Sequence, residues 1–346
     1  MIRERAIRLG FTALSLAFAL GVTGLLISVF DRSPVEVLET AWKGAFKDIK
    51  QVSTVVNFWI PLALASIGLV VTFTAGLWNI GIEGQIVMGA VFASWAGLYF
   101  DAPPIILIPT SILLGAIGGM LWGILAGLLK LRFGVHEIFG GVALNFIATN
   151  IAIYFISGPW QPPEGGSAQS TPPFQEAANL PNISADFQVN AVFLAITVIA
   201  IIAIALLLSF TRWGLTLRAV GKNQRSALLL GVQTHRVTLS AFAVCGLMGG
   251  IAGAHRVLET YESLRPSPAG GIGFLALLVV LLISFRAWWV PPVAFALAAI
   301  ITGSTRVKTL MQLDQSLAGV LQGLIVLAIL IFNGIADRII GEEKHE

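Results

Sequence analysis

Two amide side chains and one carboxylate stand together in an otherwise apolar stretch. Asn79, Glu83 and Gln85 lie among glycines within residues 58–100, where almost every other side chain is apolar. The amides donate and accept hydrogen bonds, and the carboxylate accepts them. The chain shows no paired acid and base, no nucleophile with its base, and no His, Cys or Asp cluster with metal-ligand spacing. The pattern favours binding over catalysis, and we expect no cofactor and no metal.

The stretch that carries these side chains is too long for one membrane helix. As a single helix, residues 58–100 would be roughly 65 Å long at about 1.5 Å per residue, about twice the thickness of a bilayer core. Gly76, Gly81 and Gly84 tolerate backbone angles that other residues avoid. We therefore predict two spans separated by a broken or re-entrant segment near residues 76–85. A carboxylate at such a place indicates a functional site.

The composition excludes an ordinary soluble domain. Of 346 residues, 56% are hydrophobic and only 11% are charged, whereas soluble domains carry about 25% charged residues. The basic residues form short clusters between apolar runs, which is typical of membrane orientation signals and not of a nucleic-acid surface. One cysteine, Cys245, excludes an internal disulfide framework. No phosphate-binding GxxxxGK[ST] loop occurs, so any ATP must be hydrolysed by another chain.

The apolar runs predict an all-α, polytopic membrane fold in which residues 1–346 form one transmembrane domain. Arginines precede the first run, residues 9–30, and place the amino terminus in the cytoplasm. We expect about ten transmembrane helices, with both termini cytoplasmic and membrane lipid around them. The predicted spans are residues 9–30, two within 58–100, 105–129, 137–157, 191–210, 237–255, 274–285, one that ends near 303–304, and 317–332.

Three segments between the spans have distinct compositions. Residues 31–57 mix both charges with apolar residues at helical spacing, which predicts an external amphipathic segment. Residues 158–190 contain no Lys or Arg and form the largest external loop, either a docking surface or a connector. Residues 211–236 contain five Lys or Arg residues and are predicted to be cytoplasmic. Within them, Asn223 is expected to cap a short helix that Gly231 closes.

Four stretches carry a resemblance to a known family. GLWNIGIEGQ at residues 76–85 is similar to a GLFNIGVEGQ signature, with Trp78 where phenylalanine is usual. The others are FGVHE followed by LNFIA, LRAVGKN, and GVLQGLI near the end. On these motifs the chain resembles the transmembrane permease subunits of ATP-binding-cassette importers for branched-chain amino acids, simple sugars and nucleosides. Within that group it resembles the nucleoside-type permeases.

The resemblance implies a half-channel that pairs with a second, homologous permease chain. It also implies ATP-binding-cassette ATPase subunits on the cytoplasmic side and a solute-binding lipoprotein outside. The chain itself is then not an enzyme, and residues 211–236 are the surface that couples to the ATPase. The residues expected to carry the coupling are Arg218, Gly221, Asn223, Arg225 and Gly231.

For a nucleoside, the resemblance places the solute path at the break. Asn79, Gln85 and Asn145 would donate and accept hydrogen bonds, and Trp78 would stack on a base. Glu83 would accept from ribose hydroxyls or hold the break rigid. In the alternative, Glu83 and Asn79 only satisfy the freed backbone of the broken helix. Simple sugars stay open as the solute. An ion-coupled secondary transporter with Glu83 as its ion site is a further alternative.

Overall fold

The computed structural model describes residues 18, 21, 33–163, 169–178, 180–311 and 331. Within these ranges the chain is helical, and an isolated bridge between Asn182 and Asn190 is the only β-type pairing. The helices are α1 (Pro34–Phe46), α2 (Ile49–Thr74), α3 (Ile82–Tyr99), α4 (Pro104–Phe133), α5 (Glu137–Ser157), α6 (Ala191–Phe210), α7 (Arg212–Lys222), α8 (Gln224–Leu229), α9 (Thr234–His255), α10 (Ile272–Leu282) and α11 (Val290–Met311).

Six of the described helices are long and apolar enough to cross a membrane. They are α2, α4, α5, α6, α9 with the π-helical turn that extends it to Tyr261, and residues 287–305, where a short 3₁₀ turn leads into α11. The first and tenth predicted spans, residues 9–30 and 317–332, lie outside the described residues except for single positions. The count of ten spans and the placement of both termini therefore stay predictions.

The predicted break is confirmed. Helix α2 ends at Thr74 and α3 begins at Ile82. Between them Gly76 has φ +72°, a left-handed conformation that glycine adopts without steric cost. The amide of Leu77 then donates back to the carbonyl of Thr72 at 2.9 Å, which closes the end of α2. The long apolar runs on either side of this turn therefore form two helices and not one.

Two predicted boundaries differ from the structure. The segment predicted over residues 31–57 is divided between two helices, because the Asp48 carboxylate accepts from the amides of Lys50 and Gln51 and so starts α2 at Ile49. Its external, amphipathic character stays a prediction. The predicted eighth span, residues 274–285, is shifted along the chain, because the helix there is α10, Ile272–Leu282. Helix α10 has 11 residues, about 16 Å at 1.5 Å per residue, which is roughly half of a bilayer core.

The described residues fall into two compact units: those up to Val52 together with those from Ala299 onward, and those between Ser53 and Ala298. In the first unit, α1 turns Val37 toward Val307, and Gly303 lies against the backbone of Ala41. The second unit contains the break.

Helices α3, α4 and α9 form the core of the second unit through glycine contacts. A Cβ atom added to Gly250 would lie 2.1 Å from the carbonyl oxygen of Gly115, and one added to Gly119 would lie 2.3 Å from that of Gly246. Such contacts bring helix backbones together and are typical of membrane helix packing. The glycines of α9 therefore allow close packing against α4.

Candidate functional site at the helix break

Asn79 and Gln85 form a buried pair across the break. Their side chains are 1% and 0% exposed. Each amide nitrogen donates to the other residue's amide oxygen, and both distances are 3.2 Å. The amide nitrogen of Asn79 also lies 3.1 Å from the sulfur of Cys245 in α9. The two side chains thus satisfy one another and fix the exit of the break to the first turn of α3.

Asn145 in α5 holds the backbone of the break. Its amide oxygen accepts from the N–H of Gly84 at 2.8 Å, and its amide nitrogen donates to the carbonyl of Ile80 at 3.0 Å. An asparagine does both because its side chain carries a donor and an acceptor. The structure therefore brings Asn145 to the break, as predicted, and gives it backbone partners there.

Glu83 reaches a different helix. Its two carboxylate oxygens accept from the backbone N–H groups of Gly271 and Gly273, at 2.8 and 2.7 Å. These groups belong to the amino-terminal end of α10, where N–H groups lack partners within the helix. The guanidinium charge of Arg256 also acts on Glu83. Arg256 is itself fixed, because it donates to the carbonyl of Pro268 at 3.1 Å and to the hydroxyl of Tyr261.

Trp78 is the exposed member of the five predicted path residues. Its side chain is 44% exposed. The indole packs edge-on against Phe73, with ring centroids 5.0 Å apart, and Phe73 stacks on Phe285 at 5.2 Å. The arrangement leaves an aromatic surface open beside a rigid polar cluster. Whether any of these five side chains contacts solute stays a prediction.

The basic segment 211–236 contains two helices. The predicted short helix is α8, capped by the Asn223 side chain, which accepts from the N–H of Ser226 at 2.9 Å. Gly231 follows it with φ +82°. Helix α7 was not predicted, because the charge count of this segment obscured its buried residues Leu217 and Val220 at helical spacing.

The surface of this segment is both basic and apolar. Arg218 and Arg225 are exposed. Leu228, Leu229 and Leu230 at the end of α8 are 57%, 84% and 83% exposed. A membrane protein that shows leucines beside arginines outside its spans offers a partner both apolar contact and charge.

Helix α7 touches the break directly. A Cβ atom on Gly221 would lie 2.2 Å from the carbonyl oxygen of Thr74, and one on Gly76 would lie 3.2 Å from the Cα of Gly221. Trp213 also joins α7 to α9, because its indole N–H donates to the hydroxyl of Ser240 at 3.0 Å. The basic segment therefore contacts the backbone of the break directly. The sequence did not predict this contact.

Sequence reasoning also missed the partners of Glu83. Gly271 and Gly273 stand beside an apolar run, but they lie 188 and 190 residues beyond the carboxylate that accepts from them. Among the described residues, no group of three or more His, Cys, Asp or Glu side chains is placed to hold a metal ion. The site is made of amides, one carboxylate and backbone groups.

Several known proteins are similar in sequence to this chain. The chain is 29% identical to the guanosine ABC transporter permease protein NupP of Bacillus subtilis, over 92% of this chain and 90% of that protein. It is 26% identical to the glucose ABC transporter permease protein TsgB13 of Haloferax volcanii, over 92% and 86%. It is 24% identical to the nucleoside ABC transporter permease protein NupB of Lactococcus lactis, over 81% and 79%.

A family model described as the permease component of branched-chain amino acid transport systems matches residues 51–330, which include the break, α7, α8 and α10. The chain is therefore a multi-pass membrane protein that belongs to the family of branched-chain amino acid transport system permease components.

Proposed function

We propose that this chain is the membrane-spanning subunit of an ATP-binding-cassette importer that carries nucleosides. The observation that carries the proposal is the backbone contact of Gly221 with Thr74 and Gly76. A partner that pulls on α7 and α8 must move the end of α2 as well, because no side chain separates the two backbones. Movement of a rigid element at one face is a standard way to change a membrane path.

The partners in this proposal follow from the two exposed chemistries of residues 211–236. ATPase subunits in the cytoplasm bind the leucines of α8 and the charges of Arg218 and Arg225. A second, homologous permease chain completes the path, and a solute-binding lipoprotein delivers the solute from outside. Both termini are cytoplasmic in this arrangement, and residues 158–190 are external.

Nucleosides are the favoured solute because two of the similar proteins are named for guanosine and for nucleosides. Trp78 supports this choice, since its open indole face can stack on a purine or pyrimidine. In the proposed path Trp78 meets the solute. Asn79, Gln85 and Asn145 keep the break in shape beside it.

The coupling is tested in proteoliposomes that contain the full transporter. The double charge reversal Arg218→Glu with Arg225→Glu is expected to lower solute-stimulated ATP hydrolysis at least tenfold while the chain still inserts. Arg132→Glu is the matched control, because Arg132 is an exposed arginine at the end of α4, outside the basic segment. Unchanged stimulation in the double variant would remove the coupling role.

The solute path is tested at Trp78. Trp78→Phe keeps an aromatic face and is expected to retain most nucleoside uptake, whereas Trp78→Ala is expected to raise the KM for uptake about tenfold, since one base–aromatic stack is worth about 1–3 kcal/mol. Trp95→Ala, which removes another exposed tryptophan of the same unit, is the control. Equal uptake by all three variants would contradict the assignment of Trp78.

A sugar importer is the second candidate, because one similar protein is named for glucose. Competition decides between the two: excess unlabelled guanosine should block uptake of labelled guanosine, and excess glucose should leave it unchanged. An ion-coupled carrier is distinguished in vesicles that contain only the purified chain. Such a carrier would take up solute under a proton or sodium gradient without ATP.

A further inference from the structure

Helix α10 is a half-helix whose amino-terminal end lies inside the protein beside the break. Its first N–H groups have no partner within the helix, as at every helix start. The carboxylate of Glu83 takes two of them, one with each oxygen, from Gly271 and Gly273. A bidentate carboxylate at a helix start is favoured by the N–H groups and by the helix dipole together.

The glycines of this turn are required by the carboxylate. Gly270 and Gly271 have φ +59° and +82°, left-handed conformations that glycine adopts without steric cost, and the N–H groups of Gly271 and Gly273 face the carboxylate. A Cβ atom on Gly273 would lie 2.6 Å from the Oε2 atom of Glu83, so only glycine permits the contact. The local sequence is thus shaped to receive one carboxylate.

The other end of α10 is fastened to the other side of the break. Ser284 and Phe285 follow the helix with φ +48° and +64°, conformations that are strained for residues with side chains. The strained turn directs the ring of Phe285 onto Phe73, which lies in the last turn of α2. Helix α10 therefore spans the break, held by α3 at its start and by α2 at its end.

Arg256 supplies a positive charge that acts on the Glu83 carboxylate. The guanidinium is buried and interacts electrostatically with Glu83, and the carbonyl of Pro268 and the hydroxyl of Tyr261 fix its position. Both carboxylate oxygens of Glu83 are already bonded to backbone groups, so the side chain is poorly placed to receive ribose hydroxyls.

We propose that Glu83 is a positioning residue for transport, whose carboxylate fastens the half-helix α10 to the break so that the two move as one body, and that it does not contact solute. The inference rests on the proposed function, because it assigns Glu83 a role within the same path. Glu83 then joins α3 to α10, where a contact with the solute was expected.

The first experiment uses chemical rescue in the reconstituted transporter. Glu83→Ala opens a space at the two N–H groups of Gly271 and Gly273, and nucleoside uptake is expected to fall at least tenfold through kcat, with little change in KM. Formate at tens of millimolar is expected to restore part of the rate, since a small carboxylate can accept from both N–H groups. Chloride is expected to restore none of it. Formate should do nothing for Glu137→Ala, a carboxylate deletion elsewhere in the same unit.

A second measurement does not depend on transport. Spin labels on cysteine substitutions at Phe274 in α10 and Tyr99 in α3, both exposed, report the distance between the two helices. Cys245 is buried and stays unlabelled. The distance distribution is expected to broaden in Glu83→Gln, which retains only one acceptor oxygen, and in Glu83→Ala, and to narrow again with formate in the alanine variant.

The outcomes separate this proposal from the proposed function. Broadened distances with formate recovery support the fastening role even if the wild-type complex takes up no nucleoside, which would count against the nucleoside proposal alone. Unchanged distances in both variants would overturn the fastening role. A KM raised tenfold or more at constant kcat in Glu83→Ala would identify Glu83 as a solute contact instead.

Discussion

Gly221 in α7 and Thr74 at the end of α2 touch backbone to backbone. A Cβ atom on Gly221 would lie only 2.2 Å from the Thr74 carbonyl oxygen, and the Cα of Gly221 faces Gly76 as well. The contact has two consequences. It leaves no room for a side chain between the basic segment and the break, and it gives a force applied to α7 and α8 a short route into the membrane domain.

The first prediction is that Gly221→Ala uncouples the transporter. The added methyl group must push α7 away from Thr74, an overpacking that costs about 1–3 kcal/mol. We expect the complex to assemble and to hydrolyse ATP, with nucleoside uptake per ATP reduced about tenfold. Uptake and phosphate release measured in the same proteoliposomes give this ratio. Lys222→Ala, an exposed neighbour, is the control, and a wild-type ratio in Gly221→Ala would show that the close contact is not needed.

A second prediction concerns the cap of α8. Asn223 accepts from the N–H of Ser226, and loss of such a cap costs about 0.5–2 kcal/mol of helix stability. In a six-residue helix, that loss is enough to fray the segment that carries the exposed leucines. Asn223→Ala is expected to weaken ATPase binding severalfold, and Asn223→Ser, which can still cap, to restore it. Equal binding by both variants would separate the cap from the docking surface.

The sequence predicted the break well but not what surrounds it. The excess length of residues 58–100 and the glycines at 76, 81 and 84 required an interruption, and the interruption lies where the glycines are. The same stretch contains Asn79 and Gln85 as its polar amides, whereas Asn145 was linked to the break only through the family resemblance. Periodicity along one chain carries no information about which distant segment meets a polar group, so the partners of Glu83 stayed hidden.

The boundaries that failed have local physical reasons. Asp48 caps α2 inside a segment whose mixed charges suggested a separate surface helix. Helix α10 ends early because Ser284 and Phe285 adopt left-handed angles, which neither residue type signals in sequence. Helix α7 was hidden because its buried face contains only a few apolar residues among arginines. A local cap and local backbone angles decide the first two boundaries, and the burial of Leu217 and Val220 decides the third.

A third prediction tests the Asn79 and Gln85 pair. Each side chain is buried and gives the other a donor and an acceptor, so deletion of one leaves the other without its amide partner, at a cost of about 1–3 kcal/mol. Asn79→Leu and Gln85→Leu are each expected to destabilise the purified chain by about that amount, and the double variant by less than the sum. Unfolding in one detergent at several denaturant concentrations gives the four free energies. Strict additivity would mean that the two amides do not depend on each other.

A fourth prediction compares two glycines of α4 that differ in what surrounds them. A Cβ atom on Gly119 would meet backbone, 2.3 Å from the carbonyl oxygen of Gly246 and 2.5 Å from the Cα of Gly250. A Cβ atom on Gly127 would meet side chains, the nearest being the Cδ2 atom of Leu239 at 3.1 Å. A leucine methyl group can shift by a few tenths of an ångström, whereas the backbone of α9 cannot move without repacking the core.

Gly119→Ala is therefore expected to lower the free energy of unfolding by about 1–3 kcal/mol, and Gly127→Ala to change it by much less, with thermal unfolding in detergent as the measurement. If the two variants unfold at the same temperature, the close approach of α4 and α9 is not what holds the core around the break.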